Sequence, residues 1–69
     1  MWSFDPKLDT WVFGFSHHGC GVFLEEDQKW YGNVVHKEYE TIFGIGPFDS
    51  KEAAMEMALQ EFNRLESST

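Results

Sequence analysis

Four consecutive residues, His17-His18-Gly19-Cys20, bring two imidazoles and a thiol together, and His36 supplies a distant further imidazole. Imidazole and thiolate are the donors of zinc and copper sites, and a tight turn can gather neighbouring donors. Closed structural zinc sites, however, set two ligands against a second pair, and no clear second pair follows here. The expectation is therefore no metal: two solvated turn histidines, with Cys20 a small buried hydrophobe at a strand start. A metal- or redox-sensing turn built from His17, His18 and Cys20 stands as the alternative. Nucleophilic chemistry has less support. Cys20 near His18 has the right types for a thiolate–imidazole pair, but neighbouring carboxylates disfavour the thiolate and nothing orients the base. Glu25, Glu26 and Asp27 read as a solvated acidic turn. Gly44-Ile45-Gly46 runs into a proline and lacks the lysine of a phosphate loop. The chain is expected to be no enzyme and to use no cofactor.

Recognition chemistry is better supplied. The 69 residues include seven Phe, three Trp and two Tyr, against a net charge of -7. Aromatic rings make desolvated anchors at interfaces, and carboxylates steer an oppositely charged partner. Glu25, Glu26, Asp27, Glu38 and Glu40 cluster in sequence around Trp30, Tyr31 and Tyr39, so these eight residues form the expected partner-binding surface. Rings on a sheet also suit single-stranded nucleic acid, but such platforms need a basic groove. Five Lys and Arg against twelve Asp and Glu supply none. Nucleic acid and anionic membranes are thereby expected to be excluded, and a basic protein favoured.

These residues need a scaffold, and the chain has room for one domain only. At this size the buried area barely offsets the ordering entropy, so large side chains must do much of the packing. Trp11, Phe13, Phe15, Phe23, Trp30, Phe43 and Phe62 are the expected core rings. One cysteine excludes an internal disulfide, and Met1 to Thr10 lack the cationic start and apolar stretch of a secretory signal. The longest apolar run, Trp11 to Phe15, is far below the ~20 residues of a spanning helix. A reduced cytoplasmic setting is the expectation.

Residues 1–9 read as an N-terminal arm with a turn at Asp5-Pro6, residues 10–66 as one α+β domain, and residues 67–69 as a frayed tail. Thr10 to Ser16 alternates three rings with small residues, the pattern of a strand. His17-His18-Gly19 reads as a turn into a second strand, Gly21 to Glu25, with Val22 and Leu24 on one face and Phe23 on the other. Two continuations fit. Either Glu25 to Gln28 turns into strands at Lys29 to Val35 and Tyr39 to Ile45, or Gly32-Asn33 turns between two longer strands. The sheet is antiparallel with three or four strands, since no crossover helix intervenes. A C-terminal helix follows on one face. Asp49 is its expected N-cap, Glu52 completes a capping box, and Phe48 staples to Ala53. Ala54, Met55, Ala58, Leu59, Phe62 and Leu65 form its apolar stripe.

The junction Gly46-Pro47-Phe48-Asp49-Ser50-Lys51-Glu52-Ala53 is similar to the strand-to-helix junction of HicB-like antitoxin domains. That resemblance covers about the last third of the chain and implies a module that neutralises a small RNA-cleaving toxin. The leucine-proline-glycine signature of those domains is replaced by Gly44-Ile45-Gly46-Pro47. The expected function is a small acidic protein-binding module, an inhibitor or accessory protein of phage or mobile-element origin acting on a basic partner. Beside the metal- or redox-sensing turn, the alternatives are a HicB-like antitoxin and a self-associating structural protein, a homo-oligomer built through the uncovered sheet face.

Overall fold

The computed structural model describes residues 2–15, 18–36 and 41–67. The chain forms an antiparallel sheet followed by one C-terminal helix packed against it, an α+β fold. Five strands run in chain order: β1 (Trp2–Asp5), β2 (Thr10–Phe15), β3 (His18–Leu24), β4 (Trp30–His36) and β5 (Thr41–Phe48). Each is hydrogen-bonded to the one before it, so the sheet is a simple meander. Helix α1 (Lys51–Ser67) then crosses β3, β4 and β5.

The sheet has five strands where three or four were expected, and the strand beyond four is the segment read as an arm. Trp2 pairs with Phe13 and Phe4 with Trp11 across the β1–β2 ladder. Their rings meet at centroid distances of 5.4 and 5.3 Å. Such directly opposed aromatic pairs stabilise an antiparallel ladder, so the arm gains by docking. Asp5 still makes the expected turn, its Oδ1 accepting from the Lys7 N–H at 3.0 Å. Of the two continuations, the turn falls at residues 25–29, and Gly32 and Asn33 lie inside β4. His18 and Gly19 belong to β3 and not to a turn.

Alternation sorts the side chains to two faces. The helix-covered face buries Cys20, Val22, Val34, Ala54, Ala58 and Phe62, with Trp2, Trp11, Phe13, Trp30, Ile45, Phe48, Met55 and Leu65 packed around them. The innermost layer is therefore mostly small, which lets the Ala54–Ala58 stripe approach the sheet closely, and the aromatics wall its sides. Phe23 departs from the expected core because it sits on the opposite face. The side chains of Phe15 and Phe43 lie outside the described residues. At the helix start, Ser50 takes the N-cap: its Oγ accepts from the Ala53 N–H at 3.1 Å and its carbonyl from the Ala54 N–H at 3.2 Å. Asp49, the expected cap, lies one residue too early and instead pairs with Lys29 Nζ at 2.6 Å. Lys51 at the helix start lies 4.4 Å from the Trp11 ring centre, a cation–π contact.

Opposite Trp30 and Gly32 the register of β5 shifts, so Gly46 and Pro47 bulge past Tyr31. Gly46 has φ +125°, and a Cβ there would stand 2.8 Å from Tyr31 Cδ2. Only glycine fits that approach.

Candidate functional site

The acidic turn is closed by a set of local hydrogen bonds. The Glu25 N–H donates to the Lys29 carbonyl and the Gln28 N–H to the Glu25 carbonyl, both at 3.0 Å. Asp27 holds the turn from its middle: Oδ1 accepts from the Lys29 N–H at 3.0 Å and Oδ2 from the Tyr31 hydroxyl at 2.7 Å. The Tyr31 hydrogen bond, followed by that of Lys29, keeps the Asp27 carboxyl below the ordinary aspartate value. The same bond raises the Tyr31 phenol above its ordinary value. Lys29 is raised and Asp49 lowered by their mutual hydrogen bond. Glu25, Glu26 and Asp27 are exposed, and all three border a hollow of about 450 Å³ floored by Phe23, Tyr31 and Gly44. Phe23 and Tyr31 are paired across β3 and β4, with near-parallel rings 6.4 Å apart.

Beside it lies a second hollow, of about 480 Å³, lined by Leu8, Val12, Phe23 and Val35 with Asp9 and Glu25 at its rim. Phe23 and Glu25 belong to both hollows, so the two adjoin along the face the helix leaves open. The depth comes from Gly19 and Gly21, which line the floor without side chains. A Cβ at Gly21 would meet Asn33 Oδ1 at 2.8 Å and Thr10 Cγ2 at 3.1 Å. Among the described residues, no lysine or arginine lines either hollow.

The expected partner-binding group is thus only partly assembled. Glu25, Glu26, Asp27 and Tyr31 come together, but Trp30 points to the helix-covered face and packs on the core. Strand alternation forces that separation of adjacent residues. Glu38, Tyr39 and Glu40 lie outside the described residues. Phe23, Val12, Val35, Leu8 and Asp9 were not among the expected site residues. Val12 and Phe23 had a signal in the sequence, as the small-residue face of β2 and the lone ring opposite the Val22–Leu24 face of β3, whereas Leu8, Asp9 and Val35 had none.

The histidine–cysteine group is also rearranged. His17 lies outside the described residues. Cys20 points into the core, 4% exposed, and burial pushes its thiol up to about 11, which leaves it a poor nucleophile and a poor ligand at neutral pH. His18, by contrast, meets His36 from β4, their rings edge-on at 4.6 Å, and Glu66 from the last turn of α1. One step along each strand from the Gly19–Val35 pair, β3 and β4 thus present an imidazole each to the helix end.

No protein-family model, no curated protein and no solved structure matches this chain. Among the described residues, no helix is long and apolar enough to cross a membrane.

Proposed function

We propose that the chain is a protein-binding module whose open sheet face receives an apolar segment of a basic partner. The observation that supports this is the pair of adjoining, mostly apolar hollows around Phe23, floored in part by glycine and edged by Asp9, Glu25, Glu26 and Asp27. An apolar floor supplies the desolvation term, and a rim of one sign selects partners of the other. Phe23 beside Tyr31 is the natural hot spot, since aromatic anchors dominate such interfaces. Self-association through this face is disfavoured by the same rim, because two copies would bring their carboxylates together. An inhibitor or accessory role toward a basic protein fits the charge of -7.

Selection from a random-peptide display library tests the reading directly. The expected binders place lysine or arginine beside an aliphatic or aromatic anchor. In NMR titration they should perturb the amides of Val12, Phe23 and Val35, and Phe23→Ala should weaken them by about tenfold or more, as loss of a hot spot does. Binders without basic bias, or perturbations confined to the outer face of α1, would refute it.

A further inference from the structure

At the end of the sheet where β3 and β4 meet the C-terminus of α1, three metal-binding side chains from three different elements converge. Nε2 of His18 lies 2.5 Å from Oε1 of Glu66, and Nε2 of His36 lies 3.7 Å from the same oxygen. One ligand atom from each lies within 4.8 Å of the other two. We propose that His18, His36 and Glu66 bind a divalent transition-metal ion, with Zn²⁺ the best fit.

The donor set is right for that ion. Two neutral imidazoles and one carboxylate are borderline N and O ligands, which zinc takes in a tetrahedron with Zn–N of about 2.0–2.1 Å and Zn–O of about 2.0–2.2 Å. Ligand atoms around such an ion stand roughly 3.3–3.5 Å apart. The 3.7 Å separation is close to that spacing, while the 2.5 Å pair opens, and the third pair, within 4.8 Å, closes, by rotation of the Glu66 and His18 side chains, which are 44% and 22% exposed. Magnesium and calcium are excluded by the imidazole pair, since both prefer oxygen shells.

Burial is graded in the way an open metal site requires. His36 is 1% exposed and its Nε2 has less than 1 Å² of surface. The His18 side chain is 22% exposed, so the inner wall is protein and the outer side faces water. A fourth position is thereby left to solvent or to a ligand. Packing fixes the two rings: Phe62 stands 5.0 Å from His18 and 5.8 Å from His36. Immobilised donors lose little entropy when they bind.

Glu66 brings a third element to the cluster. It sits in the last turn of α1, where the helix's own partial negative charge disfavours a carboxylate. A cation between Glu66 and the two imidazoles adds to the His18 contact in offsetting that charge and ties the helix end to β3 and β4. Cys20, the sulfur of the sequence motif, takes no part.

Chelator-treated protein titrated with Zn²⁺ by calorimetry, and with Co²⁺ by visible absorption, decides the matter. The expected result is stoichiometric binding, a tetrahedral Co²⁺ spectrum without thiolate charge-transfer, and movement of the His18 and His36 imidazole signals in NMR. Glu66→Gln should weaken binding by at least about tenfold, the loss that even an outer-shell partner can bring. Cys20→Ser should leave it intact. Because His36 is buried, His18→Ala serves as the second ligand variant, with its fold checked by circular dichroism. No stoichiometric binding, or binding that survives Glu66→Gln and His18→Ala, would overturn the proposal.

Discussion

Replacing Phe62 by alanine tests how α1 is held to the sheet. Of the three residues that the helix buries, Ala54, Ala58 and Phe62, only the last is large. Its ring is 8% exposed, so nearly all of an aromatic surface of roughly 200 Å² is removed from water. At ~25 cal/mol per Å² that burial contributes about 5 kcal/mol. Aromatic-to-alanine changes in cores cost about 3–5 kcal/mol. A chain of this length has a total stability of about 3–10 kcal/mol. The loss therefore takes from about a third of the stability to all of it. With a urea slope near 1 kcal/mol/M for so small a domain, the midpoint should fall by roughly 3–5 M. Urea melts followed by tryptophan fluorescence and by far-ultraviolet circular dichroism provide the assay. Met57→Ala, on the exposed side of the same helix, should change stability by less than about 0.5 kcal/mol. A Phe62→Ala protein within about 1 kcal/mol of wild type would refute packing of this helix through its apolar stripe.

Ser50→Ala should cost about 1 kcal/mol through loss of the N-cap, whereas Asp49→Ala should leave the urea midpoint where it is; the opposite ranking would return the cap to Asp49. Changing Glu25, Glu26 and Asp27 together to Gln, Gln and Asn should keep the fold but slow association with a basic binder and flatten its salt dependence, read by stopped-flow at two ionic strengths. The Asp27–Tyr31 bond should stabilise the turn above the unfolded aspartate value near 3.8 and weaken as pH falls through the lower folded value; it should weaken again as pH rises through the raised phenol value above 10.0. NMR titration of the Tyr31 ring checks the upper limit, and an ordinary phenol value would show the bond absent. Native Cys20 should react with a disulfide reagent far more slowly at neutral pH than after unfolding in urea, and equal rates would contradict its burial.

Much of the fold could be read from periodicity. The helix stripe, the β2 alternation and the acidic turn all depend on local pattern, and local pattern survives folding. The fifth strand was missed because four residues offer too little alternation, and what holds them is a cross-strand partner. Trp2 and Phe4 become strand residues only when Phe13 and Trp11 stand opposite. The N-cap falls one residue later than expected because the helix starts at Lys51, where the Ser50 side chain reaches the Ala53 N–H, and Asp49 pairs instead with Lys29, distant in sequence. The sites were less legible for the same reason. A reading by neighbourhood put Trp30 beside Tyr31, while the strand sends them to opposite faces. It also put Cys20 beside His18, while the imidazole partner of His18 is eighteen residues away on β4.

The same alternation gives the two proposals their independence. On β3, His18, Cys20 and Val22 face the helix, while Gly19, Gly21 and Phe23 face the groove. On β4, Val34 and His36 face inward and Asn33 and Val35 outward. A substitution in one set leaves the other set's side chains in place, unless it unfolds the sheet. Phe23→Ala should therefore weaken peptide capture and spare metal binding, and Glu66→Gln should do the reverse. The backbone joins them in one respect only. A cation at the helix end would hold β3 and β4 against α1 and so stiffen the strands that floor the groove. At a free metal concentration about a hundredfold above its dissociation constant, the melting temperature should rise by roughly 10–20 °C. Hydrogen exchange of the Gly21 and Asn33 amides, with and without Zn²⁺, reads that stiffening on the open face itself. Slower exchange there in wild type, absent in Glu66→Gln, is the expected outcome. Protection confined to α1 would show that the metal orders the helix end alone and that the groove is held by the sheet.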